Sequence, residues 1–181
     1  YLDGTPTTED DGVSPKLLQV SLLGDELRYA TNNASRTFSV SGKDRGAILM
    51  AGKSGTAYML SKKTGRFTST SYYMNKHPSW WESYYAKKPQ DQWFHQRWNL
   101  LLEDPKAYQR ALPDGAPWAA VYNNMTSKMG YMYGLGEVTP GPIYYSMLIA
   151  GPFGDEATAE FSAALVKGES IGKNPSGATD I

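Results

Sequence analysis

The stretch "TAYMLSKKTGRFTSTSYYM", residues 56–74, constrains the fold more than any other part of the chain. Two runs rich in β-branched and aromatic residues, 56–61 and 66–73, flank the sequence Lys-Lys-Thr-Gly. Gly65 at the end of that sequence can adopt the positive φ that a tight turn requires. The stretch therefore predicts a β-hairpin, and with it a fold that contains a sheet.

The residues before the hairpin carry signals for helices and one further strand. Ser14 followed by Pro15 is typical of a helix start, so a helix is predicted through residues 14–30, which Gly24 can break in two. The run "RTFSVS", 36–41, predicts a short strand. The apolar run "GAILMAG", 46–52, fits either a buried strand or a short helix.

After the hairpin, helical patterns predominate. Two aromatic stretches that begin with proline, 78–86 and 89–102, are each predicted to form a helix. A third helix is predicted over residues 154–169, with Asp155 as its cap. Residues 113–145, rich in glycine, proline and tyrosine, fit no regular element. The final residues, "NPSGATDI", resemble a turn that leads into a new strand.

The composition excludes several classes of function. With 18 basic and 18 acidic residues the net charge is zero, so the chain has no general cation excess for a nucleic-acid backbone. The absence of cysteine excludes disulfides and thiolate zinc sites. His77 and His95 supply too few imidazoles for a metal centre or a catalytic triad, and each is expected on the surface or in packing. No apolar run approaches the ~18 residues of a membrane span.

Gly52, Lys53 and Ser54 raise the question of a phosphate-binding P-loop. That motif requires a glycine five residues before the Gly-Lys-Ser, and this position holds Ala47. The charged triplet Lys43-Asp44-Arg45 also separates the preceding strand from the glycines. The spacing excludes a P-loop and predicts a turn over residues 52–55.

The charged triplet is itself a candidate anion site. If the chain stays extended through residue 45, Lys43 and Arg45 lie on one face and Asp44 on the other. Two cations at the carboxyl end of a strand can converge on one dianion, the arginine as a planar fork and the lysine as a point charge. A solvated edge is the alternative interpretation of this spacing.

Several stretches of the chain resemble the alkaline phosphatase superfamily and follow one another in the order found there. The resemblance is specifically to the bacterial periplasmic phosphatases with a Lys-x-Arg pair in the active site. The matching stretches are "GVSP", "GDELRYAT", "SVSGKDRGAILMAG", "TAYML", "TGRFTSTSYYM", "HPSWWESYYA" and the segment from Gly151 to Ile181. The resemblance implies part of an α/β three-layer sandwich with an inserted cap subdomain, which holds the β-hairpin and the aromatic-rich helices. It is weakest over residues 113–145.

The resemblance also implies a mechanism and a location. Such enzymes hydrolyse small-molecule phosphate esters with a threonine or serine nucleophile beside two zinc ions. Carried over by position, Lys43 and Arg45 hold the non-bridging oxygens of the phosphoryl group. We expect a periplasmic or secreted protein.

The nucleophile and the zinc ligands of the family have no counterparts among these 181 residues. We therefore expect an internal portion of a longer phosphatase, inactive alone, whose partner is the remainder of its own polypeptide. The chain begins with Tyr1 rather than Met, as a processed or partial chain does. Residues 1–55 and 146–181 are assigned to the phosphatase core, and 56–145 to the cap.

Two other functions stay open from the sequence. A phosphodiesterase or nucleotide pyrophosphatase shares the metals of the superfamily, although a Lys-x-Arg pair favours the doubly charged monoester. A non-catalytic binding module is the second alternative, in which aromatic side chains stack on sugars or bases. The aromatic cluster is interpreted as the core of the cap, and burial of its members excludes the binding module. The cluster consists of Trp80, Trp81, Tyr84, Tyr85, Trp93 and Trp98.

Overall fold

A computed structural model describes residues 1–4, 12–99, 101–110, 131–132 and 136–181. Along these residues the helices and strands follow in the order α1 (Leu23–Ala30), β1 (Phe38–Ser41), α2 (Asp44–Ala51), β2 (Thr56–Leu60), β3 (Phe67–Thr68), α3 (Ser79–Tyr85), β4 (Tyr131–Met132), β5 (Gly136–Glu137), α4 (Pro142–Leu148) and α5 (Pro152–Gly168). Single turns of 3-10 helix occur at Pro15–Leu17, Pro89–Asp91 and Pro105–Tyr108.

The first three strands form a mixed sheet in the order β1-β2-β3. β1 and β2 are parallel, with Phe38 opposite Thr56, and α2 is the crossover helix between them. β2 and β3 are antiparallel and form the predicted hairpin, in which Gly65 has a φ of 69°. Ile181 pairs with the free side of β1, since its N–H donates to the carbonyl of Arg36 and its carbonyl accepts from Phe38. The last residue thus enters a strand position, as its sequence suggested.

Helices cover both faces of this sheet. Alternate residues of β2 point to opposite faces, so Ala57 and Met59 pack with α2, while Tyr58 and Leu60 pack with α3, α4 and α5. The larger core lies on the second face and includes Phe161, whose ring stacks on Phe67 at 4.8 Å. The structure is an α/β three-layer arrangement, which confirms the predicted fold class.

Capping explains where the early elements begin. The Ser14 side chain accepts a hydrogen bond from the Lys16 N–H at 3.4 Å, and Pro15 occupies the first helical position, as predicted. This first turn ends at Leu17 and α1 starts at Leu23, so the helix predicted over 14–30 is divided before Gly24. The ambiguous apolar run 46–52 lies in the helix α2 and the turn that follows it.

Three predictions of secondary structure are wrong. The helix expected over residues 89–102 is a single 3-10 turn in the described part of that range, Pro89–Asp91, whose preceding residue Lys88 adopts left-handed backbone angles. α5 begins at Pro152, so Asp155 lies within its first turn and does not cap it. Part of the range 113–145 does contain regular structure, the antiparallel pair β4–β5 and the start of α4. Residues 111–130 and 133–135 lie outside the described residues.

A polar network fastens the segment after α5 to the start of β1. The Asp180 carboxylate accepts from the Arg36 guanidinium and from the Asn174 amide, while Arg36 also donates to the Glu169 carbonyl at 2.7 Å. The hydrogen bonds from Arg36 hold the pKa of the Asp180 carboxyl well below its usual range.

The division into residues 1–55, 56–145 and 146–181 stays a prediction, and β1 and β2, on either side of residue 55, pair in one sheet.

Candidate functional site

Lys43 and Arg45 lie where β1 gives way to α2. Lys43 is extended, with φ −122° and ψ 139°, and is the residue that precedes the helix; Arg45 lies in its first turn. The chain is therefore not extended through residue 45, so the condition on which the two side chains were expected to share one face is not met. The cause is the apolar run that follows: α2 buries Ala47, Ile48 and Ala51 against the sheet, and its first turn includes Asp44 and Arg45.

Both basic side chains are exposed, and in the described part of the chain neither forms an ion pair. No side chain caps the start of α2, so its first N–H groups add positive partial charge beside these cations. The residues lie at the carboxyl edge, the side of the sheet where β1 ends at Ser41 and β2 at Leu60. In open α/β sheets this is the edge at which ligands bind.

A second helix begins at the same edge. A Cβ atom on Gly42 would lie 3.9 Å from the Ile149 side chain, and one on Gly151 would lie 3.9 Å from the Trp98 ring. Gly151 precedes α5, which also starts without a side-chain cap. The edge therefore brings together Lys43, Arg45, the start of α5 and the indole of Trp98. α4 and its connection to α5 were not predicted from the residue pattern, although Pro142 followed by apolar residues is a signal for a helix start.

Two clefts have been identified in the described residues, with volumes of about 400 and 580 Å³, and Lys43 and Arg45 line neither. The smaller cleft lies at the opposite edge of the sheet, where the strands β1 and β2 begin. Its lining includes Thr37, Phe38 and Thr56. The larger is lined by residues of the β2–β3 turn and by Tyr145 of α4. Both side chains are exposed, and neither of these two clefts includes them.

The Gly-Lys-Ser turn holds an anion, but the anion is a carboxylate of this chain. Asp25, only 1% exposed, accepts hydrogen bonds from the Ser54 N–H at 2.8 Å, the Ser54 hydroxyl at 2.6 Å and the Lys53 N–H at 3.3 Å. The Leu22 N–H donates a fourth, at 3.1 Å. Burial acts to raise the pKa of Asp25, but these hydrogen bonds outweigh it and leave the pKa below its ordinary value. The turn is structural, as the failed P-loop spacing predicted.

The aromatic cluster is mostly packed core. Trp81, Tyr85 and Trp93 are buried, and Trp80 and Tyr84 pack against the same core. The indole N–H groups of Trp80, Trp81 and Trp93 donate to Glu169, to the Phe67 carbonyl and to Glu156. The packing confirms that these five residues are core, while their assignment to a cap stays a prediction. Their burial argues against a stacking surface made of these five residues. Trp98 is the exception, because it is 58% exposed.

The two histidines serve packing and the surface, as expected. His77 stacks on Trp81 with ring centroids 3.8 Å apart, and its Nε2 lies 3.1 Å from the Thr68 hydroxyl. Burial lowers the pKa of His77 to about 4, so the ring is neutral at pH 7. His95 is exposed and lies 3.0 Å from Glu137.

The described residues contain no group of three or more potential ligand side chains placed to hold a metal ion. The expectation that zinc ligands lie elsewhere in the polypeptide stays a prediction. In the described ranges, none of the helices combines the length and apolarity needed to cross a membrane.

The three layers and the basic residues at the carboxyl edge of the sheet define an α/β protein with a candidate anion-binding site. No protein-family model matches the chain. Its sequence is 35% identical over 171 residues to alkaline phosphatase PhoV of Synechococcus elongatus, and 28% identical over 173 residues to alkaline phosphatase PafA of Elizabethkingia meningoseptica. It is also 30% identical over 179 residues to a protein of Myroides odoratus named calcium-transporting ATPase. Each match covers 93% of this chain but only 30% or 31% of the relative.

Solved structures agree. A crystal structure of PafA matches 92% of this chain with a TM-score of 0.70 and 26% identity, and covers 31% of its own chain. A PafA variant matches 97% with a TM-score of 0.74 and 25% identity, over 34% of its chain. The four substitutions of that variant include a lysine and an arginine two positions apart. The resemblance to alkaline phosphatases is confirmed: this chain is homologous to a segment of these enzymes.

Proposed function

We propose that the full-length protein hydrolyses phosphate monoesters, and that Lys43 and Arg45 hold the non-bridging oxygens of the phosphoryl group. The observation that carries the proposal is the Lys-x-Arg pair at the carboxyl edge of the sheet, which has no ion-pair partner among the described residues, in a chain homologous to alkaline phosphatases. The lysine and arginine substituted together in the PafA variant have the same spacing, which supports the assignment.

The chemistry assigned to the pair is electrostatic. In monoester hydrolysis the bond from phosphorus to the ester oxygen breaks, the leaving oxygen gains a proton, and the phosphoryl group passes to a threonine or serine hydroxyl and then to water. Negative charge on the non-bridging oxygens is stabilised by the Arg45 fork, the Lys43 ammonium and the first N–H groups of α2. Exposed side chains without a carboxylate partner in the described residues are available for this contact.

The two zinc ions that the resemblance implies do not fit the described residues, which offer no suitable ligand group. We propose that the ligands and the nucleophile lie on other parts of the polypeptide. On this view residues 1–181 alone are inactive. We propose that the cap over the substrate is formed within residues 56–145 by the part that follows β2, because β2 itself pairs with β1 in the sheet. The proposed location is the periplasm or the cell exterior, as for the bacterial enzymes that the sequence resembles.

A monoester is favoured over a diester for a reason of charge. A terminal phosphoryl group carries two negative charges and gains more from two cations than a diester does. The names of the relatives, alkaline phosphatase and ATPase, both denote removal of a terminal phosphoryl group. Hydrolysis of diesters, as by a phosphodiesterase or nucleotide pyrophosphatase, is the alternative that the assay below measures.

The test compares full-length protein with its Lys43→Ala and Arg45→Ala variants, assayed with zinc on phenyl phosphate and on a phenyl diester. Each substitution is expected to lower monoester turnover on the order of 10²-fold, as when one electrostatic stabiliser is removed. Lys53→Ala is the matched control, because Lys53 is an exposed lysine at the other end of α2. Unchanged monoester rates in both variants would contradict the assigned role. A parent protein that prefers the diester would favour the alternative.

A further inference from the structure

The larger cleft carries more positive than negative charge, and the proposed function assigns it no role. Its volume of about 580 Å³ is within the range of small-molecule sites. Residues of the β2–β3 turn, of the α3 exit and of α4 line it, among them Lys63, Arg66, Lys88, Gln90, Asp91 and Tyr145. We call it the hairpin cleft.

The cations of the hairpin cleft outnumber its carboxylate. Among the described lining residues, Lys63, Arg66 and Lys88 face one acid, Asp91, whose carboxylate accepts from the Tyr145 hydroxyl at 2.9 Å. A second carboxylate, that of Asp3, does not line the cleft but accepts from the Thr64 hydroxyl at 2.9 Å. The Arg66 guanidinium is held in place, since it stacks over the rings of Trp81 and Tyr85 at 5.8 and 5.5 Å. The net positive charge favours an anionic occupant.

The fold constrains two residues that line the hairpin cleft. Lys88 adopts left-handed angles, φ 52° and ψ 49°, which a non-glycine residue rarely adopts. Gln90 is 6% exposed, and its Oε1 is a buried acceptor that no described residue satisfies.

The hairpin cleft lies at the carboxyl edge of the sheet, as Lys43 does. β1 and β2 are parallel, so the turn after β2, which carries Lys63, and the chain after β1 leave the sheet at the same edge. α4 connects the two places, because Tyr145 lines the cleft and Ile149 lies beside Gly42. Four residues of helix separate Tyr145 from Ile149, about 6 Å along the axis.

We propose that the hairpin cleft binds an anionic group on the leaving part of the substrate, so that the enzyme selects phosphorylated compounds that carry further phosphates, of the nucleoside di- or triphosphate class. This rests on the proposed function, since the transferred phosphoryl group is the one at Lys43 and Arg45. Binding of a remote part of the substrate contributes to kcat/KM without any contact to the reacting atoms.

The test measures, in full-length protein, the ratio of kcat/KM for ATP to kcat/KM for phenyl phosphate, whose leaving group has no phosphate. The Lys63→Gln/Lys88→Gln variant is compared with Lys62→Gln/Lys87→Gln. The control removes the same charge from the neighbouring residues, neither of which lines the hairpin cleft. The first variant is expected to lower the ratio roughly tenfold, as two partly exposed ion contacts of ordinary strength would. The control is expected to keep the ratio of the parent.

Three results would count against the proposal in different ways. A ratio that is unchanged in the Lys63/Lys88 variant while phenyl phosphate is hydrolysed overturns the cleft and leaves the proposed function intact. An equal fall in the control variant shows a general effect of charge and also overturns it. A parent protein that hydrolyses neither ATP nor phenyl phosphate overturns the proposed function and this inference with it.

Discussion

The two ends of α2 both present donors to an anion, and they differ in whether those donors are already used. After its carboxyl end, Lys53 and Ser54 surround the buried carboxylate of Asp25. At its amino end, Lys43 and Arg45 are exposed and have no carboxylate partner in the described residues. A turn whose sequence resembles a phosphate-binding P-loop can thus bind a carboxylate of its own chain. The Lys-x-Arg pair, a much commoner sequence pattern, is the one whose cations are available for a ligand.

Removal of the clamped carboxylate is expected to have the largest effect on stability. Asp25→Asn places an amide donor against backbone N–H groups and should lower the free energy of unfolding by about 3 kcal/mol. Asp44→Asn, which removes the same charge at the start of α2, should cost less than about 1 kcal/mol. Urea denaturation of the full-length variants measures both. Equal losses would show that the carboxylate of Asp25 is not a clamp.

The glycine beside the clamp gives the next largest effect. Gly52 has a φ of 70°, and a Cβ there would lie 2.2 Å from an Asp25 carboxylate oxygen. Gly52→Ala should cost about 2 kcal/mol, through strain and displacement of that carboxylate. Gly177→Ala is the control, since Gly177 has a φ of 73° with nothing within 4 Å of the added atom. It should cost about 1 kcal/mol, and thermal denaturation of both variants measures the two losses.

Acid should weaken the clamp. Because the pKa of Asp25 in the folded protein lies below its ordinary value, its contribution to stability is present above the unfolded pKa and is lost as pH falls through the folded pKa. The difference in unfolding free energy between parent and Asp25→Asn should therefore be smaller at pH 3 than at pH 7. Comparison of the two proteins cancels the titration of other groups. A difference that grows on acidification would refute the sign of the shift.

The smallest effect on stability is expected at the open end of α2. Lys43→Ala and Arg45→Ala each remove an exposed side chain without an ion-pair partner in the described residues, so the free energy of unfolding should change by less than about 0.5 kcal/mol. The same variants are the ones expected to lose turnover. A loss of stability comparable to that of Asp25→Asn would mean that Lys43 and Arg45, like the Gly-Lys-Ser turn, serve the stability of the fold.

Local signals in the sequence predicted the elements that depend on neighbouring residues. Gly65 at the end of a polar turn gave the hairpin, and Ser14 with Pro15 gave the first helical turn. The P-loop was excluded by counting, but the occupant of the turn was out of reach, because Asp25 is 29 residues from Ser54 along the chain. The identity of such a partner depends on how α1 and α2 pack.

Tertiary packing decided the features where local signals were ambiguous. The run after Arg45 fits a strand or a helix by pattern, and it is a helix because a crossover must connect the parallel strands β1 and β2. Because the helix begins at Asp44, Arg45 lies in its first turn and not in extended chain. The aromatic residues between 89 and 102 suggested a helix, yet Trp93 is buried with its indole on Glu156, while Trp98 is exposed beside Gly151.

The α/β class, the hairpin, the resemblance to alkaline phosphatases and the Lys-x-Arg pair could be predicted, since each depends on residues close together in the chain. Three features became visible only in the folded chain: Asp25 accepts from the donors of the Gly-Lys-Ser turn, the Lys-x-Arg pair lies at the start of a helix, and basic residues of the hairpin and the α3 exit form one cleft. These depend on contacts between residues far apart in sequence, and such contacts are set by burial and by the satisfaction of polar groups in the folded chain.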